Sequence, residues 1–294
     1  MSEFSHSHEK PINPYDVLNS GQELLGHFGI DVSPVESPEE FLEALKQLDP
    51  RFQGERNLTR QDLEKDTTEW PKETIGIINK TAEALRMVKF DESDHPIVTE
   101  TPLVGHYDLV ISLGAARQAN LDRTRYAVDC VKNSDGSASF RHLVVAGSGR
   151  KLDEKEQANT TNYAPGAQTE FDLCLGAAKT VAEENPGLVV SVSYTPNEKA
   201  GTPEVIESVL AAMVKSETVH YGESPVAAVT TQIYQASTQM DLERIAKKFG
   251  VTDIYVAGNP SDPEIVANRT PATYLTEIVR TLKSATLLVA AETE

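Results

Sequence analysis

Five short apolar segments recur along the chain after residue 105, and each is followed by a stretch with the spacing of a helix. The segments cover residues 108–113, 142–146, 188–194, 226–231 and 253–257. Repeated strand–helix units predict a mainly parallel sheet with helices on both faces. We therefore expect a doubly wound α/β fold in which the strands starting near 108, 142 and 226 have adjacent carboxyl ends.

The residues before the first strand have helical periodicity instead. A proline at the first helical position predicts a helix start at Ser37-Pro38, and further starts are expected at Thr59 and Thr68. Three or four helices follow from this pattern. The sequence thus divides into a disordered lead at 1–12, an N-terminal helical region at 13–105 and an α/β domain at 106–294.

The composition restricts the classes of binding partner and the cellular compartment that are expected. The net charge of −18 over 294 residues argues against nucleic acid, because phosphate backbones require a basic surface. The same charge disfavours an anionic membrane, and no apolar run reaches the length of a membrane-spanning helix. A signal peptide is not evident, so a cytoplasmic protein is expected. Cys130 and Cys174 are expected to be buried free thiols.

Glycine turns end the first two strands. Ligands of open parallel sheets bind outside the carboxyl ends of the strands, which directs attention to Gly114 and to Gly147-Ser148-Gly149. The second turn is either an anion-binding nest of backbone amides or an ordinary strand-to-loop turn. Neither a dinucleotide fingerprint nor a P-loop is present. The two turns should be neighbours if the first two strands pair.

Further candidate ligand contacts stand at strand ends and helix starts. They are Arg117, Arg123, Thr202, Thr230, Thr231, Tyr234 and Arg269. The arginines are candidate partners of an anionic ligand. The hydroxyl groups after the fourth strand either cap the next helix or bond a ligand phosphate or ribose.

Two carboxylates are candidates for acid/base chemistry. Glu170 and Glu204 follow strands, and Glu204 stands in the first turn of a predicted helix, where capping is the alternative explanation. No metal-binding spacing is present, so no metal site is predicted. The polar loop between Gly147 and Gln168 is long enough to act as a lid over a ligand.

The order of these features carries a resemblance to a known family. The matching positions are Gly114, Arg123, Ala127, Val144–Gly149, Thr169-Glu170, Thr202, Glu204 and Thr230 to Tyr234. They resemble the YdcF-like family, also called the SanA/ElyC-type or DUF218 domain, which has serine and histidine where Thr231 and Tyr234 stand. The resemblance implies a doubly wound fold with a ligand site over the strand ends. It also implies binding of S-adenosylmethionine or a nucleotide, and some members are linked to envelope or lipid-carrier metabolism.

Two classes of function remain open from the sequence. One is an enzyme, a transferase or hydrolase, acting on a nucleotide-like or phosphorylated small molecule. The other is a non-catalytic binding or regulatory module that uses its N-terminal helices to contact a protein partner. Convergence of Glu170, Glu204 and Arg123 on one pocket would favour the enzyme. The sequence names neither the cofactor nor the oligomeric state.

Overall fold

The computed structural model describes most of the chain. The described residues are 11–48, 70–93, 95–98, 103, 105–115, 118–131, 139–158, 162–220 and 224–293. The helix starts expected at Thr59 and Thr68, the candidate Arg117 and residues 1–10 of the expected lead lie outside them.

The described helices and strands alternate after residue 105, as the sequence predicts. The helices are α1 (Pro14–His27), α2 (Pro38–Leu48), α3 (Lys72–Ala84), α4 (Gln118–Asp129), α5 (Glu154–Ala158), α6 (Glu170–Glu184), α7 (Thr202–Lys215), α8 (Gln235–Lys248), α9 (Pro263–Ala267) and α10 (Pro271–Thr293). The strands are β1 (Lys89–Phe90), β2 (Pro96–Ile97), β3 (Tyr107–Leu113), β4 (Phe140–Ser148), β5 (Val190–Thr195), β6 (Val226–Thr231) and β7 (Ile254–Asn259).

Five of these strands form one parallel sheet in the order β5-β4-β3-β6-β7. The predicted α/β fold is therefore confirmed. Ser112 pairs with Val145 on one side and with Val229 on the other, so the carboxyl ends of β3, β4 and β6 lie side by side. Strands β3, β4 and β6 are almost wholly buried, which explains why they appear in the sequence as continuous apolar runs.

The chain divides into two compact units. The first contains the described residues of 101–231 and 245–259, and therefore the five-stranded sheet. The second contains those of 11–100, 232–244 and 260–294. The domain boundary near residue 105 stays a prediction, which the truncation proposed in the Discussion tests.

Within the first unit, helices α4 and α6 pack against each other and on the sheet. Their apolar faces bury Val128, Ala177 and Val181 against strand residues such as Leu143 and Val145. Aliphatic side chains dominate this core, since the chain has only 6% aromatic residues.

Within the second unit, the N-terminal helices α1, α2 and α3 pack on the C-terminal helix α10. Leu24, Phe41, Ile78 and Leu282, one from each of the four helices, are fully buried in a single apolar cluster. The core of this unit thus joins the two ends of the chain. In the described part of the chain, none of the helices combines the length and apolar character needed to cross a membrane.

Candidate functional site

The two glycine turns are neighbours in the first unit, as the sequence predicts. The Gly114 amide donates to the carbonyl oxygen of Ala146 at 2.6 Å. A Cβ atom placed on Gly114 would lie 3.2 Å from Gly147 Cα. The carboxyl ends of β3 and β4 therefore meet where the expected site lies.

Contacts with neighbouring protein atoms explain both glycines of the Gly147-Ser148-Gly149 turn. A Cβ atom on Gly147 would lie 2.6 Å from the Cys174 sulfur of α6, closer than packed atoms allow. A Cβ atom on Gly149 would lie 3.0 Å from the carbonyl oxygen of Pro196. Close packing therefore requires small residues here, whether or not a ligand approaches the backbone.

Glu170 is anchored at the end of β4. Its Oε2 accepts hydrogen bonds from the Ser148 amide at 3.0 Å and from the Ser148 hydroxyl at 2.6 Å. Its own amide donates to the carbonyl oxygen of Arg150. Ser148 is buried and Glu170 is partly exposed, so the pair holds a carboxylate at the carboxyl end of β4.

A capping box positions Glu170 at the first residue of α6. The Thr169 hydroxyl accepts from the Asp172 amide, and the Asp172 carboxylate accepts from the amides of Gln168 and Thr169 at 2.9 Å each. Burial alone would raise the pKa of Asp172, but these hydrogen bonds outweigh it and lower the pKa below its ordinary value. The capping box thereby fixes where α6 begins, and the bonds between Glu170 and Ser148 connect that first turn to the end of β4.

Arg123 joins the carboxyl ends of β3 and β6. Its buried guanidinium donates to the carbonyl oxygen of Gly114 at 2.8 Å and to that of Leu113. It also donates to the Thr231 hydroxyl at 2.6 Å. The structure thus brings together three predicted site residues, Gly114, Arg123 and Thr231, and their contacts hold neighbouring strand ends in register.

Two buried residues beside the turns were not predicted as site residues. The Asn120 side-chain amide of α4 donates to the Ala115 carbonyl oxygen at 3.1 Å and to the Cys174 sulfur at 3.3 Å. The Asn120 Oδ1 atom is buried and has no hydrogen-bond partner within the part of the chain that the structure describes. The only signal in the sequence was an amide on the apolar side of a helix.

The Cys174 thiol is in an environment that makes it unreactive. Burial raises its pKa to about 12, and the Asn120 hydrogen bond only partly opposes that effect. The thiol is therefore protonated at neutral pH and does not act as a nucleophile. Cys174 is a free cysteine, as the sequence predicts, and so is Cys130.

Four further candidates, Glu204, Thr202, Tyr234 and Arg269, have other positions in the fold. Glu204 is exposed, and its carboxylate accepts from the Gly201 amide at 2.9 Å, which is the capping role left open by the sequence. Thr202 is the first residue of α7. Tyr234 and Arg269 belong to the second unit, where the Arg280 guanidinium lies over the Tyr234 ring and Arg269 donates to Ser261.

The long loop after β4 is structured over the part that is described. It contains α5, and Arg150 forms an ion pair with Glu156 at 3.0 Å. Leu152, Ala164 and Ala167 are buried with Leu173 of α6 in a small apolar cluster. Helix α5 was not predicted, because five helical residues are too few to show a periodicity. The lid motion stays a prediction.

Among the residues with described positions, no three His, Cys, Asp or Glu side chains are grouped so as to hold a metal ion. Two pairs of polar side chains lie at the carboxyl ends of the strands in the first unit, Ser148 with Glu170 at β4 and Arg123 with Thr231 at β3 and β6. We call these four residues the switch-point cluster, because the contact between Arg123 and Thr231 lies where the order of the strands reverses between β3 and β6.

Comparison with known proteins gives short matches. Neither a family model nor a solved structure matches the chain. The chain is 35% identical over 79 residues to uncharacterized protein Mb3814 of Mycobacterium bovis and to uncharacterized protein Rv3785 of Mycobacterium tuberculosis. Each match covers 27% of this chain and 21% of the relative, so the chain spans about a fifth of the length of these proteins.

Proposed function

We propose that the first unit binds a nucleotide-like small molecule at the carboxyl edge of β3, β4 and β6. The observation that carries this proposal is the strand order β5-β4-β3-β6-β7, in which the first strand of the sheet lies between the second and the fourth. Doubly wound folds with this order bind ligands in the crevice at the reversal point. The switch-point cluster lies there.

Glu170 supports a ligand that presents hydroxyl groups. Both hydrogen bonds from Ser148 end on Oε2, while an ionised carboxylate accepts about four hydrogen bonds in all. The partly exposed carboxylate is therefore suited to accept from the two hydroxyls of a ribose. Nucleotides and S-adenosylmethionine both contain a ribose, and S-adenosylmethionine also carries a positive charge that Glu170 would attract.

The same carboxylate argues against a phosphate over Gly114. The carboxyl carbon of Glu170 would lie 3.1 Å from a Cβ atom on Gly114, so an anion placed there would meet a negative charge. The ligand therefore directs its ribose, and not its phosphate, toward the two glycine turns. This placement differs from the anion-binding nest that was one interpretation of Gly147-Ser148-Gly149.

Binding without turnover fits the geometry better than catalysis. Glu204 is used as a helix cap and the Cys174 thiol is protonated, which leaves Glu170 as the one candidate acid or base in the described switch-point cluster. The similarity to the YdcF-like family remains part of the proposal, and the strand order supports it.

Calorimetric titration of the whole chain with S-adenosylmethionine, ATP and adenosine tests the proposal. A bound ligand at 100 times its dissociation constant also stabilises the fold by about 2.7 kcal/mol, which a thermal melt detects. Glu170→Gln should weaken binding about 10-fold or more, because a hydrogen bond to a charged group contributes about 1.5–3 kcal/mol. Glu204→Gln is the matched control and should leave the affinity unchanged.

Failure of all three ligands to bind, or an equal effect of the two glutamate substitutions, would overturn the assignment of the site. Binding by adenosine and ATP with equal affinity would support a ribose contact that makes no use of the phosphates.

A further inference from the structure

Strand β5 forms one edge of the sheet as far as the chain is described. Most of its side chains are partly exposed, and Tyr194 is 48% exposed. Five of the six β5 residues are partly or fully exposed. Strand β7, at the opposite edge, has only two such residues among its six and is largely buried. The edge open to another strand is therefore β5.

The backbone groups of alternate β5 residues point to this open edge. The carbonyl oxygens of Val189 and Thr195 accept from the amides of Leu143 and Gly149, both at 2.9 Å, so these two residues direct their backbone groups toward β4. Directions alternate along a parallel strand. The amides and carbonyls of Val190, Val192 and Tyr194 consequently point away from β4.

The sequence of β5 is self-complementary about Val192. If a second copy pairs antiparallel with its two-fold axis at Val192, Val190 faces Tyr194 of the other copy and Ser191 faces Ser193. Apolar residues then face apolar residues and serine faces serine. The three residues that point outward would form hydrogen-bonded pairs, which supply six backbone hydrogen bonds. A two-fold interface requires this kind of self-matching.

Strand β5 also lacks the features that prevent edge pairing. Soluble proteins protect open edges with charged residues, proline or bulges. Residues Val190–Thr195 contain neither a charge nor a proline, in a chain whose net charge is −18. Two such acidic molecules repel each other at most surfaces, so a neutral strand is the favoured meeting point.

We propose that two copies of this chain associate through antiparallel pairing of β5 about Val192, which joins their sheets into one of ten strands. The partner is a second copy because the register above matches the strand to itself. Pairing between β5 strands leaves the carboxyl ends of β3 and β6 uncovered, so the inference stands independently of the ligand.

Sedimentation and light scattering over a range of protein concentrations provide the test. The wild-type chain should have twice the 32.1 kDa mass of one copy. Val190→Glu combined with Tyr194→Glu places like charges opposite each other twice and should raise the dimer dissociation constant at least 10-fold, since directly opposed like charges destabilise a strand pair. Val190→Lys combined with Tyr194→Glu opposes unlike charges and should restore the dimer.

Ile265→Glu is the matched control, because Ile265 is an apolar residue with a similar exposure of 54% outside β5. It should remain dimeric. Circular dichroism verifies that each variant is folded. A wild-type chain that is monomeric throughout, or a folded Lys/Glu chain that does not associate, would overturn the proposal.

Hydrogen exchange of the wild-type chain gives a result that needs no variant. The amides of Val190, Val192 and Tyr194 should become protected as the concentration rises. Exchange that stays fast at concentrations where a dimer is present would show that a different surface forms it, and the proposal would then be wrong.

Discussion

At the scale of single residues, Gly147 and Cys174 form a packed contact that leaves no space for a methyl group. Gly147→Ala should lower the free energy of unfolding by about 1–3 kcal/mol, because overpacking a well-filled core costs that amount. Cys174→Ala removes the sulfur that the new methyl group would meet. The double variant should therefore lose less stability than the sum of the two single changes, as measured by urea denaturation. Strict additivity would contradict this account of the glycine.

Which residues meet across a long loop cannot be derived from local sequence. The proximity of Gly114 and Gly147 was predictable, because both follow strands that pair. The hydrogen bond between Ser148 and Glu170 was not predictable, since the two residues are 22 positions apart and local sequence does not determine the course of the loop between them. Asn120 and Cys174 were missed for the same reason. A buried polar contact between two helices leaves no periodic signal in either one.

At the scale of elements, the capping box of α6 makes stability depend on pH. The pKa of Asp172 is lowered in the folded state. The stability that the ionised Asp172 contributes to folding is therefore fully present above its ordinary pKa of 3.8, and it is lost as the pH falls through the lowered pKa. Asp172→Ala should cost about 1 kcal/mol at pH 7 and less near pH 2–3. Leu175→Ala, an exposed change on α6 that removes no titratable group, should cost the same at both pH values. Urea denaturation at the two pH values measures both.

Two helical glycines in the second unit should respond in opposite directions to alanine. A Cβ atom on Gly76 of α3 meets no atom within 4 Å, so Gly76→Ala should stabilise the protein by about 0.5–1 kcal/mol. A Cβ atom on Gly21 of α1 would collide with the Leu282 side chain of α10. Gly21→Ala should therefore be destabilising, and equal shifts of the melting temperature for the two variants would be inconsistent with the contact.

Elements with clear boundaries were predicted closely. The strand expected at 226–231 is β6, Val226–Thr231, and the strand expected at 108–113 is β3, Tyr107–Leu113. Apolar runs with small polar residues on either side explain this success. Helix α5 was missed because five residues are shorter than two helical turns.

At the scale of the whole molecule, the packing of α10 on α1, α2 and α3 predicts the effect of an N-terminal deletion. A chain that starts at residue 106 would expose the apolar residues Leu275, Ile278 and Leu282. It should bind the dye ANS and aggregate on mild heating, because large apolar patches on soluble proteins promote association. A deleted chain that stays soluble, binds no ANS and melts at the wild-type temperature would show that the region before residue 106 is a separable domain.

An apolar pattern shows that a helix packs but does not identify its partner. The sequence predicted three or four helices before residue 105 but not that α1, α2 and α3 pack on α10. Their common core depends on contacts between residues far apart in the chain, such as Gly21 and Leu282, which are 261 positions apart, and periodicity carries no information about such pairs.

The same core has a consequence for the folding of the chain during its synthesis on the ribosome. Helix α1 ends at His27, whereas α10 begins at Pro271, and roughly 240 residues must be added between them, which takes about 12 to 50 s at 5–20 residues per second. Throughout that interval α1 lacks the helix on which it finally packs. Helices α1, α2 and α3 must therefore wait for α10 to be synthesised before they can complete their core, whereas all five strands of the parallel sheet precede α10 in the chain.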